Sequence, residues 1–401
     1  MDLDAFDELL TPRGQRALAE AVELVGTDPV AAATRLRKTY DAALTSAALT
    51  QAGLRERAKA KFGEDAARMY FTPHGLEQST RTEVAEHRAH RLTTEARADA
   101  PPRGLGRGLR VVDACCGVGG DFLALARAGC TVAAVDTDPL TVAVARANAD
   151  ALGLADRVTV SVRDAAEVRP EEYDVLFADP ARRTSRGRTF GPMAYSPPWP
   201  VVLDLVSRAS RACVKVAPGI PYEFIPGGAE AEWVSYKGEV KEAALWTGQE
   251  GAAGRRATLL PGGHALTATG AEAAVGPVGR YVYEPDGAAI RAHLVGEVSE
   301  IVNGRLLDPM IAYITGDDPI DTPWAARYEV EDVLPFSGKK LRAALRERQV
   351  GNVTIKKRGS AVDIERLRSD LRLNGEKSAT IILTRIIDKP SVIICDTSPP
   401  A

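Results

Sequence analysis

The chain has 401 residues, of which 45% are hydrophobic, 26% charged and 5% aromatic. This balance is typical of a folded globular protein and excludes a disordered or fibrous chain, and at roughly 150 residues per domain the length predicts two or three domains. The formal net charge of -3 gives no overall attraction to nucleic acid or to a membrane. Either function would therefore require a local excess of charge.

Cysteine usage and the N-terminal segment predict the compartment. Five cysteines occur, at Cys115, Cys116, Cys130, Cys213 and Cys395. They show neither metal-ligand spacing nor a disulfide framework, which favours a reducing cytoplasm and predicts no metal site. The chain begins with an acidic segment where a secretory signal would be basic, and no stretch approaches about 18 apolar residues. We therefore expect a cytoplasmic protein without a membrane anchor.

The first hundred residues have a helical pattern. Apolar residues recur every three or four positions between residues 6 and 92, as Leu18, Ala21 and Val25 do. This predicts a helical N-terminal domain. The Pro- and Gly-rich segment 100–108 then predicts a linker and a domain boundary.

Strand and helix patterns alternate between residues 109 and 250. Strands are predicted at 109–113, 132–136, 158–162, 175–178 and 213–216. Helical segments between several of them predict an α/β fold with a doubly wound parallel sheet. The signals weaken after Trp246, and residues 251–322 predict a β-rich connecting region of strands and turns.

The C-terminal region predicts a compact α+β module. Strands are expected at 327–330, 352–357 and 378–385, with helices at 339–348 and 364–371. This alternation over residues 323–395 is consistent with a small sheet covered by two helices.

A glycine-rich run follows the first strand of the α/β region, where residues 111–120 read VVDACCGVGG. Glycine has no Cβ and accepts positive φ, so Gly117 and Gly119 let the backbone turn sharply and approach a ligand, and Gly120 leads into the next helix. The free N–H groups at the start of that helix suit a carboxylate. Asp113, at the end of the strand, suits an amino group.

Acidic residues end the next two strands. Asp136 is placed to accept hydrogen bonds from ribose hydroxyls, and Asp164 to accept one from the amino group of adenine. A dinucleotide-dependent oxidoreductase also has a glycine-rich turn and a later acidic residue, and is the competing interpretation. The spacing disfavours it, because Asp113 leads a D-x-x-x-G-x-G pattern, whereas the dinucleotide pattern is G-x-G-x-x-G without that aspartate.

Residues 111–164 resemble the motifs of class I S-adenosylmethionine-dependent methyltransferases. Within them, DACCGVGG at 113–120 is similar to the corresponding run of the trimethylguanosine synthase group of cap-RNA methyltransferases. The resemblance implies a Rossmann-like core, S-adenosylmethionine as cofactor and methyl transfer as the reaction. The cofactor-binding residues that it implies are Asp113, Gly117, Gly119, Gly120, Asp136 and Asp164.

The fourth strand is followed by Asp179, Pro180, Ala181 and Arg182. Amino-directed methyltransferases carry Asp or Asn, two prolines and an aromatic ring here, whereas several RNA methyltransferases carry Asp-Pro-Pro-Arg, which this chain resembles more closely. It departs from both at Ala181. We expect Asp179, Pro180 and Arg182 to form the catalytic loop, with Asp179 orienting the acceptor and taking any proton that the attacking atom carries. The methylated atom stays open.

The same loop is rich in arginine. Its cations lie within seven positions, at Arg182, Arg183, Arg186 and Arg188. A loop so charged beside a cofactor is predicted to hold a phosphate or another polyanion, and a solvated loop is the alternative. Residues 196–199, SPPW, resemble a displaced amino-methyltransferase motif. They come too late for the end of the fourth strand and predict a helix start, the alternative being that Trp199 folds back over a base.

Two other features concern the predicted site. Residues 70–81 precede a helix, and in this superfamily such a segment often closes over the methionine end of the cofactor. Phe71, Thr72 and Gln78 are therefore candidate contacts, and a capped helix with satisfied side chains is the alternative. Cys213, in an apolar strand, is a poor nucleophile, so a covalent mechanism is not expected.

The one basic region lies between residues 323 and 390, with fifteen Lys and Arg against nine Asp and Glu. Lys339 and Lys340 fall on a predicted helix. Lys356, Lys357 and Arg358 end the following strand. A basic stripe of this kind binds an RNA backbone without reading its sequence, and a solvated charged face is the alternative.

The segment 355–359, IKKRG, resembles the THUMP-like C-terminal domain of bacterial methyltransferases. Because THUMP domains bind tRNA, the resemblance implies a structured RNA partner. The predicted regions are a helical domain (1–100), a class I methyltransferase domain (109–250), a β-rich connecting region (251–322) and a THUMP-like domain (323–395). The predicted function is S-adenosylmethionine-dependent methylation of a tRNA or rRNA base. The alternatives are a small-molecule or protein methyltransferase, and a non-catalytic RNA-binding protein that retains the cofactor pocket.

Overall fold

The computed structural model describes residues 1–98, 108–181, 183–184, 187–188, 191–248 and 253–396. The chain forms two compact units. The first comprises Met1–Glu230 and Glu242–Ala253, and the second Ala231–Lys241 and Gly254–Ala401. The linker predicted at 100–108 falls almost wholly outside the described residues. In the part of the chain that is described, no helix is both long and apolar enough to cross a membrane.

Six α-helices begin the first unit. Their bounds are α1 (Leu3–Leu10), α2 (Pro12–Glu23), α3 (Pro29–Leu36), α4 (Ala42–Phe62), α5 (Pro73–Gln78) and α6 (Thr82–Ala98). Asp41 caps α4 by accepting a hydrogen bond from the Leu44 backbone N–H, which gives one of the unpaired donors of the first turn a partner. Apolar side chains of these helices, such as Phe6 and Leu44, pack in one core with Val111 of the parallel sheet. The helices and the sheet therefore share a core, and the four-region division stays a prediction.

The strands up to residue 247 include those of the parallel sheet. They are β1 (Arg110–Asp113), β2 (Thr131–Asp136), β3 (Val158–Val162), β4 (Val175–Ala178), β5 (Arg183–Thr184), β6 (Gly187–Arg188), β7 (Ala212–Val216), β8 (Glu230–Tyr236) and β9 (Glu239–Thr247). In the first unit the order is β3-β2-β1-β4-β7-β9. The first five strands are parallel, and β9 runs antiparallel to β7. The predicted parallel sheet is confirmed, and the antiparallel strand β9 was not predicted.

Helices cover both faces of this sheet. They are α7 (Gly120–Arg127), α8 (Pro139–Ala151) and α9 (Trp199–Arg208). Neighbouring residues of β1 point to opposite faces, so Val111 packs with Phe122 of α7, and Val112 packs with Leu205 of α9. This arrangement confirms the predicted Rossmann-like α/β core. Because its strands are parallel, their carboxyl ends meet at one edge, where ligands bind in such sheets.

The second unit contains the remaining elements. They are β10 (Gly254–Leu260), β11 (His264–Thr267), β12 (Tyr281–Pro285), α10 (Gly287–Arg291), α11 (Val295–Ile301), β13 (Arg305–Asp308), β14 (Ile311–Gly316), β15 (Ala325–Pro335), α12 (Gly338–Glu347), β16 (Val350–Lys357), α13 (Ile364–Leu371), β17 (Lys377–Ile386) and β18 (Lys389–Cys395). Strands β12 to β18 form one sheet in the order β13-β14-β12-β15-β18-β17-β16. Only β16 and β17 pair in parallel; the other neighbours are antiparallel.

This sheet curls on itself and has a core on each face. Leu341 of α12 and Leu367 of α13 pack on one face, and Tyr313 and Ile393 pack on the other. The curl brings β13 to the end of β17, where the Leu307 carbonyl accepts a hydrogen bond from the Ile387 N–H. Strands of the predicted connecting region thus join the C-terminal sheet. The short helices α10 and α11 and the last strand, β18, were not predicted.

Candidate active site

A cavity of about 320 Å³ opens at the carboxyl edge of the parallel sheet in the first unit. The wall combines the connection from α5 to α6 with the loops that follow β1, β2, β3 and β4. Polar lining residues include Thr80, Asp136, Asp164, Asp179 and Ser196. A cavity of this size suits a small ligand held by a few oriented polar groups.

The glycine loop after β1 forms the floor of the cavity. Gly117 and Gly119 have φ of +52° and +107°, a region that other residues rarely adopt. A Cβ on Gly119 would lie 2.7 Å from the ring of Phe122, whereas a Cβ on Gly117 would meet nothing within 4 Å. The residues that line the cavity include Gly117 and Gly120, but not Gly119. Gly119 therefore shapes the turn, and Gly117 leaves room for a ligand. At Gly120 a Cβ would lie 3.2 Å from the Thr80 carbonyl oxygen, so this glycine lets the segment before α6 approach closely.

Asp136 and Asp164 both line the cavity, after β2 and β3. One oxygen of Asp136 accepts a hydrogen bond from the Gly117 N–H at 3.1 Å, and the other accepts from the Asp138 N–H at 3.0 Å. Burial raises the pKa of Asp136 above its usual value. Asp164 is exposed, and one of its oxygens accepts from the Ala166 N–H at 2.8 Å. Both carboxylates are thus held in place by backbone donors.

Asp113 is fully buried at the end of β1 and is not among the residues that line the cavity. The sequence predicted a carboxylate that faces the ligand, but the following residues, Ala114 and Cys115, form the wall. Oδ1 of Asp113 accepts a hydrogen bond from the Cys115 N–H at 3.2 Å, and no described residue donates to Oδ2. Burial raises the pKa of Asp113 to about 7. An unpaired, buried carboxylate oxygen of this kind fits a ligand that brings a cationic N–H donor.

Asp179 lies at the end of β4 and is held by a lysine that the sequence analysis missed. Oδ2 of Asp179 accepts a hydrogen bond from Lys215 Nζ at 2.5 Å, and Nζ also donates to Thr80 Oγ1 at 2.7 Å. Lys215 is only 3% exposed. The sequence feature that could have identified Lys215 is a single lysine in an otherwise apolar strand, ACVKV at 212–216.

The polar chain continues away from the cavity. Thr80 donates to Asp121 at 2.8 Å, Asp121 pairs with Arg88, and Arg88 pairs also with Glu242. Arg88 is buried, with its guanidinium 5.1 Å from the centroid of the Phe177 ring. The buried cations Arg88 and Lys215 therefore each contact at least one carboxylate, as a charge buried in a protein requires.

The segment before α6 lines the cavity with only some of the residues predicted for it. Phe71 is fully buried with its ring 5.4 Å from that of Phe62, and it does not line the cavity. Thr72 caps α5 by accepting from the Gly75 N–H at 2.9 Å and does not line the cavity either. Gln78, which was also a candidate, lines it together with Thr80. Phe71 packs against Phe62 and Thr72 caps α5, and neither side chain reaches the cavity.

Two polar side chains fix this segment. Lys61 Nζ donates to the carbonyls of Leu76, Glu77 and Ser79 at 2.7, 2.9 and 2.7 Å, at the end of α5. Asn148, buried on α8, donates to the carbonyls of Tyr70 and Val118 and accepts from the Tyr70 N–H. The N-terminal helices are therefore anchored directly to the glycine loop.

The loop after β4 returns to its own start. Ala181 and Ser196 exchange two backbone hydrogen bonds, of 2.8 and 3.0 Å, which brings Pro197 and Pro198 to the cavity. Trp199 begins α9, as predicted, and is buried edge-on against Tyr195 rather than placed over the cavity. From their position in the sequence, residues 196–199 come too late for the end of β4. The pairing of Ala181 with Ser196 nevertheless brings Ser196 next to the residues that follow β4.

The remaining catalytic-loop residues are only partly described. Pro180 is buried and does not line the cavity. Arg182 and Arg186 lie outside the described residues. Arg183 and Arg188 pair across the two-stranded ribbon of β5 and β6, and only their backbone is described.

Cysteine chemistry is disfavoured at this site. Cys213 is fully buried in β7, and burial raises the pKa of Cys115 and Cys116 well above the usual range of a thiol. Among the described residues, no group of His, Cys, Asp or Glu side chains has the arrangement of a metal site.

In the second unit, the predicted basic stripe is divided. Lys339 and Lys340 are exposed in the first turn of α12. Lys356 forms an ion pair with Glu284 at 3.0 Å, and Arg358 lies 3.8 Å from the same carboxylate. Lys357 donates to the Val362 carbonyl at 3.1 Å. Five cations predicted to act together therefore differ in how far their charge is compensated.

Three parts of the chain match family models. Residues 109–201 match the model of the RNA cap guanine-N2 methyltransferases, residues 325–397 a THUMP domain-like model, and residues 2–58 a domain of unknown function. A crystal structure from Porphyromonas gingivalis, of a protein whose assignment as a methyltransferase is itself provisional, has a TM-score of 0.77 with 20% identity. It covers 96% of this chain and 99% of its own. The fold and the glycine loop thus define a class I methyltransferase core with a THUMP-like C-terminal domain.

Two curated relatives, from two strains of Mycobacterium tuberculosis, are uncharacterized S-adenosylmethionine-dependent methyltransferases. Each is 35% identical to this chain over 347 residues, which is 83% of this chain and 90% of the relative. A 23S rRNA (uracil(1939)-C(5))-methyltransferase of Acidithiobacillus ferrooxidans is 36% identical over 81 residues, 19% of this chain and 18% of its own. The chain belongs to the S-adenosylmethionine-dependent methyltransferases, and S-adenosylmethionine is its cofactor.

Proposed function

We propose that the protein transfers the methyl group of S-adenosylmethionine to structured RNA. The observation that carries this proposal is that one chain combines a segment similar to RNA cap guanine-N2 methyltransferases with a segment similar to THUMP domains. The local similarity to an rRNA methyltransferase supports the same substrate class. The enzyme would then use one unit for chemistry and the other for holding RNA.

The cavity and the buried Asp113 behind its wall offer a partner for each part of the cofactor. Asp136 would accept hydrogen bonds from the ribose hydroxyls, and Asp164 one from the adenine amino group. The backbone at Gly117 and Gly120 would receive the carboxylate at the start of α7, in the turn that Gly119 shapes. The free oxygen of Asp113 would accept from the amino group, supported by the absence of any described donor to it.

Asp179 is the proposed catalytic residue. Bound S-adenosylmethionine supplies a methyl group on a positively charged sulfur. Asp179 lies on the cavity with one oxygen held by Lys215, and would orient the acceptor through the other. As a lone pair of the acceptor formed the new bond to carbon, the carbon–sulfur bond would break and leave its electron pair on sulfur, and Asp179 would take any proton that the acceptor atom loses. Pro180 would stiffen the loop.

Cations in each of the two units would hold the RNA backbone. In the catalytic loop these are Arg182, Arg183, Arg186 and Arg188. In the second unit Lys339 and Lys340 are the best supported, because they are exposed, whereas Lys356 and Arg358 face Glu284. Lys357 is exposed with a backbone carbonyl as partner. Contacts of this kind add affinity without reading sequence.

The test is transfer of labelled methyl from S-adenosylmethionine to fractionated total RNA, with protein extract and small metabolites in parallel. We expect label in an RNA fraction, reduced about 10²- to 10⁴-fold in Asp179→Ala because orientation and proton removal are lost. Asp150→Ala, an exposed aspartate on α8, is the matched control and should retain activity. Label confined to protein or metabolites would refute RNA as the substrate. Cofactor binding without label in any fraction would favour a non-catalytic RNA-binding protein.

A further inference from the structure

We propose that Lys215 is a positioning residue that holds Asp179 in the conformation needed for methyl transfer. The inference rests on the proposed catalytic role of Asp179 but not on RNA being the acceptor. Lys215 Nζ lies 2.5 Å from Asp179 Oδ2 and 2.7 Å from Thr80 Oγ1. Lys215 itself does not line the cavity, whereas both of its partners do. It therefore acts on the ligand only through them.

The location of Lys215 is difficult to explain by packing alone. It occupies a central strand in which all five residues, Ala212–Val216, are buried. An apolar side chain would fill this position without the desolvation cost of an ammonium group, which is tolerated in a protein interior only when it is paired. The pairing found here is directed at the cavity.

The hydrogen-bond chain behind Lys215 fixes the direction of its donation. Asp121 pairs with Arg88 and accepts the hydroxyl hydrogen of Thr80. The Thr80 oxygen is therefore left as an acceptor, and it receives a hydrogen from the Lys215 ammonium. A second ammonium hydrogen is donated to Asp179. Threonine, lysine and aspartate thus form an ordered chain that presents a positive charge to the catalytic carboxylate.

This arrangement restricts the movement of Asp179. The short hydrogen bond removes rotational freedom from its carboxylate, so that the second oxygen has a fixed direction toward an acceptor. Arg88, the other buried cation of the hydrogen-bond chain, pairs with Asp121 and Glu242, whereas Lys215 contacts Asp179 directly.

The test compares Lys215→Met and Lys215→Arg with Lys59→Met, the control, which removes an exposed lysine paired with Glu56. The acceptor is whichever fraction takes label from the wild type. In Lys215→Met we expect kcat to fall about a hundredfold, with the KM of the acceptor and the Kd of S-adenosylmethionine unchanged. Lys215→Arg keeps a cation and should recover part of kcat.

Two kinetic outcomes would overturn the proposal. One is wild-type kcat in Lys215→Met. The other is an equal decrease of cofactor affinity and kcat, which would mean that the lysine only supports the fold. If label enters protein or metabolites instead of RNA, the RNA proposal fails, and the same variants are measured on the labelled fraction.

An unfolding experiment without any methyl acceptor tests the ion pair between Lys215 and Asp179. Urea unfolding of Lys215→Met, Asp179→Asn and the double variant forms a thermodynamic cycle. Because each single change leaves a group without its partner, we expect the two effects to be non-additive by about tenfold in the unfolding equilibrium constant. Additive effects would show that the pair is not coupled and would overturn the proposal. Should Lys215→Met fail to fold, Lys215→Arg and the double variant, which removes both charges, still allow the comparison.

Discussion

The cavity of the first unit and the basic stretch of the second both concentrate charged side chains, but they hold them differently. Beside the cavity, Arg88 and Lys215 are buried, and each contacts two partners. In the basic stretch, Lys339 and Lys340 are exposed at a helix start. Buried pairs are only weakly screened by salt, whereas exposed charges are screened within about a Debye length. The first arrangement suits fixed geometry, and the second suits a mobile polyanion.

The difference shows why a count of charges is a poor guide to a binding surface. Lys356 and Arg358 belong to the same basic stretch as Lys339, yet the curl of the sheet brings Glu284 of β12 to both of them. Conversely, the net negative charge of the whole chain gives no indication of Lys215, the cation that contacts Asp179. Which charges are available depends on pairing between distant strands, and that pairing is absent from the local sequence.

The largest effect is expected from the glycine loop. In Gly117→Arg a side chain would occupy the space in which the cofactor is proposed to lie, so we expect the Kd of S-adenosylmethionine to rise more than about a hundredfold. Isothermal calorimetry measures it. Gly153→Arg is a matched control, because Gly153 also has positive φ and an open side but lies at the end of α8. Unchanged affinity in Gly117→Arg would remove the glycine loop from the cofactor site.

Much of the fold could be predicted because it depends on local patterns. The strand after which the glycine loop begins, the strand Val158–Val162 and the strand Val175–Ala178 all follow from short apolar runs bounded by turn residues. The sheet of the second unit was harder, because β12 and β15 are far apart in sequence and pair only in the folded chain. The core shared by the N-terminal helices and the parallel sheet was hard to predict for the same reason, because its residues are far apart in sequence.

For the candidate site, position along the chain predicted the loops better than the side chains. Gly117, Asp136, Asp164 and Asp179 all lie at the cavity, since the ends of parallel strands converge. Phe71 does not, because the pattern of residues 70–81 contains no information about which of its side chains the fold buries. Roles for the cavity residues stay proposals until ligand binding is measured.

A pH dependence would separate the buried carboxylate from the exposed cations. Burial raises the pKa of Asp113 to about 7, so below that pH the folded protein holds a proton there. An amino group bound at its free oxygen would favour the ionised form and expel the proton. Affinity for S-adenosylmethionine should therefore fall as the pH drops below about 7, by up to about tenfold per pH unit.

Calorimetry near neutral pH in two buffers of different ionisation enthalpy measures the expelled proton. Asp113→Asn should bind S-adenosylmethionine without releasing a proton, while Asp150→Asn, on the exposed side of α8, should behave as the wild type. The same raised pKa destabilises the folded state above the unfolded value of 3.8, so without cofactor this contribution improves as the pH falls from about 7 toward 3.8. Binding without proton release would contradict the assignment of Asp113.

The smallest effect, and the most sensitive to salt, is expected at α12. Lys339→Glu with Lys340→Glu should weaken binding of total tRNA about three- to tenfold, because two exposed cations no longer neutralise phosphates. The slope of log Kd against log salt should fall by about 0.7 to 0.9 for each phosphate that the protein ceases to neutralise. Filter binding over a range of salt measures both quantities.

Two comparisons separate this effect at α12 from changes in stability and in overall charge. Acidic residues in the first turn of a helix interact favourably with its dipole, so the double variant should unfold no earlier than the wild type. Weaker binding would therefore not reflect damaged structure. Lys38→Glu with Lys59→Glu changes the net charge equally, at an exposed position in the turn after α3 and an exposed position on α4, and should leave the slope unchanged. Equal effects of the two double variants would mean that tRNA responds to the overall charge of the protein, and that α12 is not an RNA-binding surface.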